Sequence, residues 1–188
     1  MKKTLIVLLL ISLSQLLPAK GDRFFASVGA AALMPADKEF KSLYGEVHVS
    51  PEIKAGYTLF RGFYFWAGAS FFSATGVLPV LEDEVKVSQM FFSLGAGWEA
   101  RLGRRLRGEL FAAALLAGFR EKGMGDSVSR SAPGLEVGCG LRYMLKKKLF
   151  AGLGVSYAGA STTARTEAGE TDIVLGGLRL SGRLGIRF

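Results

Sequence analysis

The sequence predicts an all-β chain: eight antiparallel strands running up and down and closing into a transmembrane barrel. Three observations carry that reading. Through eight separate segments apolar residues alternate with polar or small ones at period two, the spacing at which successive side chains point to opposite faces of a strand. A two-strand unit recurs, since Gly56-Tyr57-Thr58-Leu59, Gly97-Trp98-Glu99-Ala100, Gly140-Leu141-Arg142-Tyr143 and Gly185-Ile186-Arg187-Phe188 each set an inward glycine before outward bulky residues, at intervals of 41, 43 and 45 residues. The connections alternate between very short turns and loops of roughly ten residues, the alternation expected of a membrane barrel built from hairpins.

Residues 1–21 have the form of a cleaved secretory signal peptide. A basic Met1-Lys2-Lys3 start leads into an apolar run from Leu5 to Leu13, and Ala19 and Gly21 are small residues near a cut, with Gly21 preferred because Ala19 then sits two positions before it. The apolar run falls short of the ~20 residues a spanning helix needs, and no later segment supplies them, which excludes a helical membrane protein. What remains, 22–188, suits one barrel domain. It is rich in glycine and phenylalanine and poor in proline (25, 14 and 5 in the whole chain), and helical apolar spacing is hard to find in it. The lone Cys139 cannot form an internal disulfide, and the absence of a cysteine after the cut argues against a lipid anchor.

In order, Phe24, Ala26, Val28, Ala30 and Ala32 share one face of a first strand, and Pro35 to Lys41 is read as a polar loop. A long second strand, Leu43 to Leu59, sets Val47, Val49, Ile53 and Tyr57 against Glu46, His48, Ser50, Glu52 and Lys54. Arg61-Gly62 turns the chain into a third strand carrying Phe63, Phe65, Ala67, Ala69 and Phe71, and a loop from Thr75 to Glu84 holds three consecutive acids, Glu82, Asp83 and Glu84. The fourth strand shows Met90, Phe92, Leu94, Ala96 and Trp98 outward, with Ser93, Gly95, Gly97, Glu99 and Arg101 inward. After the turn at Gly103-Arg104-Arg105, the fifth sets Leu106, Leu110, Ala112, Ala114 and Leu116 against Arg107, Glu109 and Phe111, and ends in a loop from Glu121 to Arg130. The sixth pairs Leu135, Val137, Cys139, Leu141 and Tyr143 with Glu136, Gly138, Gly140 and Arg142. Beyond Lys146-Lys147-Lys148 the seventh carries Leu149, Leu153, Val155 and Tyr157 against Gly152, Gly154 and Ser156. A polar loop from Ser161 to Asp172 precedes the eighth, which presents Leu178, Leu180, Leu184, Ile186 and Phe188 on one face and Arg179, Arg183 and Arg187 on the other.

Period two does not say which face points inward. The residue types do: the polar face is rich in glycine and serine, which fit a narrow lumen, while most bulky side chains lie on the apolar face, where lipid sets no limit on size. The polar face also carries charges of both signs, Glu46, Glu52, Glu99, Glu109 and Glu136 against Lys54, Arg101, Arg107, Arg142, Arg179, Arg183 and Arg187. Pairing across the lumen offsets a desolvation cost of several kcal/mol per ion, so this set is expected to form an ion-pair network that plugs the barrel. Tyr57, Phe60, Phe63, Trp98, Tyr143 and Phe188 gather near the short turns like an interfacial aromatic girdle. The turns themselves are purely basic, with Arg61, Arg104, Arg105, Lys146, Lys147 and Lys148. Such a rim is either a solvated surface or a site for anionic phospholipid head groups. The formal charge of +8 becomes +5 once Lys2, Lys3 and Lys20 leave with the signal peptide, and its concentration in turns and lumen does not suggest nucleic acid.

The final strand, with Leu180, Leu184, Ile186 and the terminal Phe188, resembles the C-terminal strand of bacterial outer-membrane β-barrels, which the barrel-assembly machinery reads. The mature chain as a whole resembles the small eight-stranded barrels of the OmpA transmembrane-domain and OmpX kind. That resemblance implies a Gram-negative outer-membrane location with both termini periplasmic, outer-membrane lipids as surroundings, and contact with periplasmic chaperones and the assembly machinery during biogenesis. The family includes structural anchors, adhesion and resistance factors, small-solute channels and a few lipid A-modifying enzymes, so the fold does not choose a function. The leading expectation is a structural or surface-display role with a plugged lumen, followed by a narrow channel, then by a lipid-modifying enzyme. Catalysis would call on His48, the one histidine, with Ser50 and Glu46 on the same face. Same-face neighbours in one strand stand about 7 Å apart, too far for a direct hydrogen-bonded relay, so no catalytic residue is assigned. No cofactor or metal is expected either, because one histidine and one outward cysteine make no conventional site. The acids at Asp37, Glu39 and Glu82 to Glu84 are read as solvated loop tips.

Overall fold

The computed structural model describes residues 23–77, 84–123, 126–166 and 169–188; the expected signal peptide and the acids Glu82 and Asp83 lie outside them. Eight strands, β1 (Phe24–Pro35), β2 (His48–Thr58), β3 (Phe63–Val77), β4 (Glu84–Arg101), β5 (Leu106–Gly123), β6 (Asp126–Met144), β7 (Leu149–Thr166) and β8 (Gly169–Arg187), each pair antiparallel with the next. β8 pairs back onto β1, so the sheet closes and no edge is left with unpaired backbone groups. At the seam Phe24 and Phe188 exchange backbone hydrogen bonds, both 2.9 Å, and their rings stack with centroids 6.2 Å apart.

One end of the barrel carries three short turns. Between β2 and β3, Arg61 (φ 49°) and Gly62 (φ 88°) form a two-residue hairpin turn whose left-handed backbone matches the twist of the strands. A Cβ on Gly62 would overlap the Glu99 carbonyl, so only glycine fits there. The turns after β4 and β6 close through bonds from Leu102 N to Leu106 O (3.0 Å) and from Leu145 N to Leu149 O (2.9 Å).

The other end departs from the expected loops in two ways. The segment read as loop and strand start holds a helix, α1 (Lys38–Tyr44), so β2 begins at His48 and not at Leu43. The local signals are clear in hindsight: Asp37 accepts from the Phe40 amide at 3.0 Å as N-cap, and Gly45 at φ 100° stops the helix. The ten-residue loops expected at Glu121–Arg130 and Ser161–Asp172 are instead continuations of the strands, to Gly123 and from Asp126, and to Thr166 and from Gly169. Ladder bonds persist beyond the apolar belt, where Val128 to Ser131 are exposed in succession and the period-two hydrophobic signal vanishes. In this upper region β8 bends at Gly176 and Gly177 (φ 98° and 152°), where Cβ atoms would overlap the carbonyls of Ala158 and Met34.

The outer wall settles the sense of the barrel. Val49, Ile53, Phe65, Phe92, Leu94, Leu110, Leu135, Leu141, Leu153, Tyr157 and Leu184 are all exposed on it, forming a continuous apolar belt far larger than water tolerates on a soluble monomer. The face is transmembrane.

The lumen corrects another expectation. Large side chains do not all face outward: Phe25, Tyr64, Trp66, Phe72, Phe91 and Phe150 are buried inside. Glycine makes the room. Each of the four hairpins puts one inward aromatic opposite one inward glycine, Phe25 with Gly56, Tyr64 with Gly97, Phe111 with Gly138 and Phe150 with Gly185. In each pair a Cβ on the glycine would overlap the partner ring. Three of these glycines, Gly56, Gly97 and Gly185, belong to the repeat, while in the third hairpin Gly138 and not Gly140 faces the ring; in each pair the volume a side chain would occupy on one strand is taken by its neighbour.

Candidate functional site

The candidate site is the lumen, which holds two stacked layers of different chemistry. The polar layer starts near the short turns. Glu99 and Glu109 are direct cross-strand partners on β4 and β5, an arrangement of like charges that is unstable alone. Arg142 from β6 bridges them, Nη1 to Glu99 at 2.6 Å and Nη2 to Glu109 at 2.8 Å, with its side chain 1% exposed. Arg107 adds a 2.5 Å contact to Glu99, Arg187 pairs with the same carboxylate, and Arg183 pairs with Glu109. One step higher, Arg179 reaches Glu52 at 3.2 Å and Glu136 at 3.5 Å and donates to Ser70 at 2.9 Å, while Glu136 also accepts from Ser93 (2.6 Å) and Ser156 (3.2 Å).

Aromatic faces hold the remaining cationic surface. Lys54 Nζ lies 3.7 Å from the Trp66 ring centre and 4.1 Å from that of Phe111, and the Arg142 guanidinium lies over Phe150 and Phe25 at 4.6 and 5.0 Å. The cavity among Glu52, Lys54, Trp66, Glu136, Arg179 and Arg183 has a volume of only 30 Å3, room for about two water molecules.

Above this lies an apolar layer. Leu33, Phe72, Val87, Phe91, Leu115, Phe119 and Leu175 form one buried cluster, and Phe40 of α1 closes it from the mouth. His48 belongs to this packing: its imidazole stacks on Phe72 with centroids 4.8 Å apart and meets Phe40 edge-on at 5.7 Å. Ser50, its neighbour on the inner face, donates to the Phe71 carbonyl at 3.1 Å. At the rim of the mouth, where the outer face of β5 has already turned from Leu116 to Arg120 and Lys122, the Tyr44 hydroxyl donates to Glu121. Burial, followed by the nearby Glu121 charge and that hydrogen bond, pushes Tyr44 up to about 12. Burial raises Glu121 too, the bond from Tyr44 partly opposing it.

The structure brings Glu52, Lys54, Glu99, Glu109, Glu136, Arg142, Arg179 and Arg183 together, with Arg107 and Arg187. Two residues expected in this network stand outside it. Glu46 is exposed between α1 and β2, because the helix takes the residues that the alternation had assigned to a strand. Arg101 ends β4 and is exposed at the short-turn rim, one inward position beyond Glu99. Arg61, Arg104, Arg105, Lys146, Lys147 and Lys148 are exposed in the three short turns. Leu180, Leu184 and Ile186 face outward on β8, and Phe188 is half-buried against Phe24. The apolar upper layer went unread because Val87, Phe119 and Leu175 lie beyond the lipid-facing runs, and Phe91 and Leu115, inside those runs, are apolar residues on the face read as polar. The inward aromatics nearer the short turns had a usable signal: Phe25, Tyr64, Trp66, Phe111 and Phe150 each sit opposite a glycine of their own hairpin, whereas Phe72 and Phe91 do not.

No family model matches the sequence, and no curated protein matches it. Solved structures do. Neisserial surface protein A (NspA) is similar at 17% identity with a TM-score of 0.67, the match covering 88% of this chain and 97% of that one. OprG from Pseudomonas aeruginosa matches at 15% identity and TM-score 0.67, over 90% and 97% of the two chains. Ail, the attachment invasion locus protein of Yersinia pestis, matches at 16% and 0.55, over 89% and 100%. With a closed up-and-down order of eight strands, an apolar outer belt and a packed lumen, this chain has the fold of the small eight-stranded outer-membrane β-barrels.

Proposed function

We propose that the protein is an integral barrel of a bacterial outer membrane with a non-conducting lumen, its short turns facing the periplasm, and that its role is structural or the display of its α1-bearing end. One observation carries the reading: the lumen is closed twice, by ion pairs below and by an apolar cluster above, leaving a cavity of 30 Å3. A hydrated ion would have to break the Arg142 bridge and then cross a layer that is apolar apart from His48, Ser50 and Gln89, and burying an unpaired charge costs several kcal/mol. His48 is stacked between aromatic rings, which supports a packing role over a catalytic one. The test is single-channel recording of the refolded mature chain in planar bilayers, after heat-modifiable gel mobility has confirmed folding. Silence is expected. A steady conductance whose ion selectivity changes on Glu52→Gln or Glu99→Gln would overturn the plug and favour a channel.

A further inference from the structure

The basic turns converge with a groove on the lipid-facing wall. The β4–β5 and β6–β7 turns are joined by a backbone bond from Met144 N to Arg105 O of 2.8 Å, and Arg187 N bonds Lys148 O at 2.7 Å, so Arg104, Arg105 and Lys146 to Lys148 form one exposed cluster of five cations. Immediately above it on the outer wall runs an open groove of about 770 Å3 whose sides are Leu106, Leu141, Tyr143, Leu153 and Leu184. Small outward positions, among them Gly182, form its floor. Leu106 directly follows Arg105, and Tyr143 and Ala151 flank the lysine turn, so groove and cluster are continuous. From Lys148 to Leu153 the strand runs ~17 Å, or ~13 Å along the membrane normal at a tilt of ~40°, close to the ~15 Å that one leaflet contributes to the hydrocarbon core.

We propose that this surface is a binding site for an anionic glycerophospholipid of the inner leaflet, with its phosphate among the five cations and an acyl chain along the groove. The assignment to that leaflet rests on the orientation proposed above; the binding does not. Short turns keep these cations at headgroup level, beside the exposed Leu102 and Leu145, where they meet lipid phosphate before any acidic polymer further out. The barrel supplies its own contrasts. A second outer-wall groove of 610 Å3, lined by Phe24, Tyr57, Phe65 and Phe188, shares Val28 and Leu184 with the first and meets the lysine turn at Leu149, but it does not reach the Arg104-Arg105 turn. At the far end the described exposed charges are of both signs, Glu39, Glu46 and Glu84 among Lys38, Lys86, Arg120, Lys122 and Arg130.

The experiment is native mass spectrometry of the refolded mature chain released from micelles containing equal phosphatidylglycerol and phosphatidylcholine. The expected result is phosphatidylglycerol retained about tenfold over phosphatidylcholine. The preference should disappear in R104Q/R105Q/K146Q/K147Q/K148Q and persist in Arg61→Gln. Should the fivefold variant fail to show heat-modifiable mobility, R104Q/R105Q and K146Q/K147Q/K148Q, measured separately, are each expected to lower the preference about threefold. Excess free glycerol phosphate should not displace the lipid. Equal retention of the two lipids, a preference that survives loss of the cluster, or full displacement by glycerol phosphate would each overturn the proposal. The last of these would reduce the site to a phosphate-binding rim without use of the groove.

Discussion

Replacing Glu99 by glutamine tests the polar plug at its most connected point. Glu99 meets Arg142, Arg107 and Arg187, whereas Glu109 meets two guanidinium groups and Glu52 one. Glutamine keeps the volume and one acceptor oxygen but removes the charge that three cations share, and its amide NH2 turns a donor toward a donor. Breaking a buried ion pair by removing one partner costs ~3–5 kcal/mol. Glu109 still holds Arg142, and Arg107 is open enough at the short-turn mouth for water to replace its partner, which places the loss at the lower end, ~3 kcal/mol. With a urea slope of ~2 kcal/mol/M, the unfolding midpoint in lipid vesicles, followed by tryptophan fluorescence, should fall by ~1.5 M. Glu52→Gln, at a less buried carboxylate held by one arginine, should cost ~1 kcal/mol, or ~0.5 M. Equal shifts for the two variants, or a Glu99→Gln loss below ~1 kcal/mol, would refute the argument that shared pairing sets the stability of this layer. A double-mutant cycle with Arg187→Met should show coupling, since Arg187 has no second carboxylate among its described ion pairs.

Four further outcomes follow from the same geometry. Phe40→Ala should cost ~3 kcal/mol by uncovering the apolar layer yet leave planar bilayers silent, because the ion pairs beneath still close the lumen; a new conductance would show that α1 alone is the gate. Tyr44 holds its proton more tightly folded than unfolded, so its contribution is complete below its ordinary value of 10.0 and is lost as pH rises through about 12. Protease sensitivity of the 38–47 segment should rise in that alkaline window, and Tyr44→Phe should abolish the step. Cys139 is exposed within the apolar belt between Val137 and Leu141; in vesicles it should react with a lipid-soluble maleimide and resist a charged one, and fast labelling by the charged reagent would reverse the assigned faces of β6. The Lys54 contacts predict ~1–2 kcal/mol of coupling between Lys54→Met and Trp66→Leu in a double-mutant cycle read by urea unfolding; additive effects would reduce the ring to filler.

The strand order, the faces of most strands and the cross-lumen carboxylates and guanidinium groups were legible because lipid and a narrow lumen enforce strict alternation. From Leu135 to Tyr143, for instance, successive residues alternate between hydrocarbon and the packed interior. That enforcement stops where the lipid stops. Thr162 and Thr163 continue β7 with no apolar face to announce it, and Glu46 kept its place in an alternation that had already given way to α1. The capping pair Asp37 and Gly45 carried the correct signal on a scale of eight residues, which a search for period two passes over. The inward rings were missed because a composition argument treats glycine on the polar face as empty space, whereas Gly97 and Gly185 are small because Tyr64 and Phe150 already fill the volume above them.

Those rings also bear on how the lumen tolerates its charge. The buried and half-buried cations, Lys54, Arg107, Arg142, Arg179, Arg183 and Arg187, outnumber the carboxylates Glu52, Glu99, Glu109 and Glu136 among the described residues. An excess of cations in so closely packed a lumen is costly unless something other than carboxylate faces them. Trp66 and Phe111 take Lys54, Phe25 and Phe150 take one side of Arg142, and Phe91 lies 5.9 Å from Arg179. Each ring face contributes ~0.5–2 kcal/mol to a desolvated cation without adding another ion to desolvate. Three of the rings that do this, Phe25, Phe111 and Phe150, are members of the glycine-opposed pairs. Two of the opposing glycines, Gly56 and Gly185, belong to the repeat that marks the hairpins in the sequence, and the third, Gly138, stands two residues before its Gly140; these small inward positions place aromatic faces against the cations, coupling the packing of the barrel to the neutralisation of its interior.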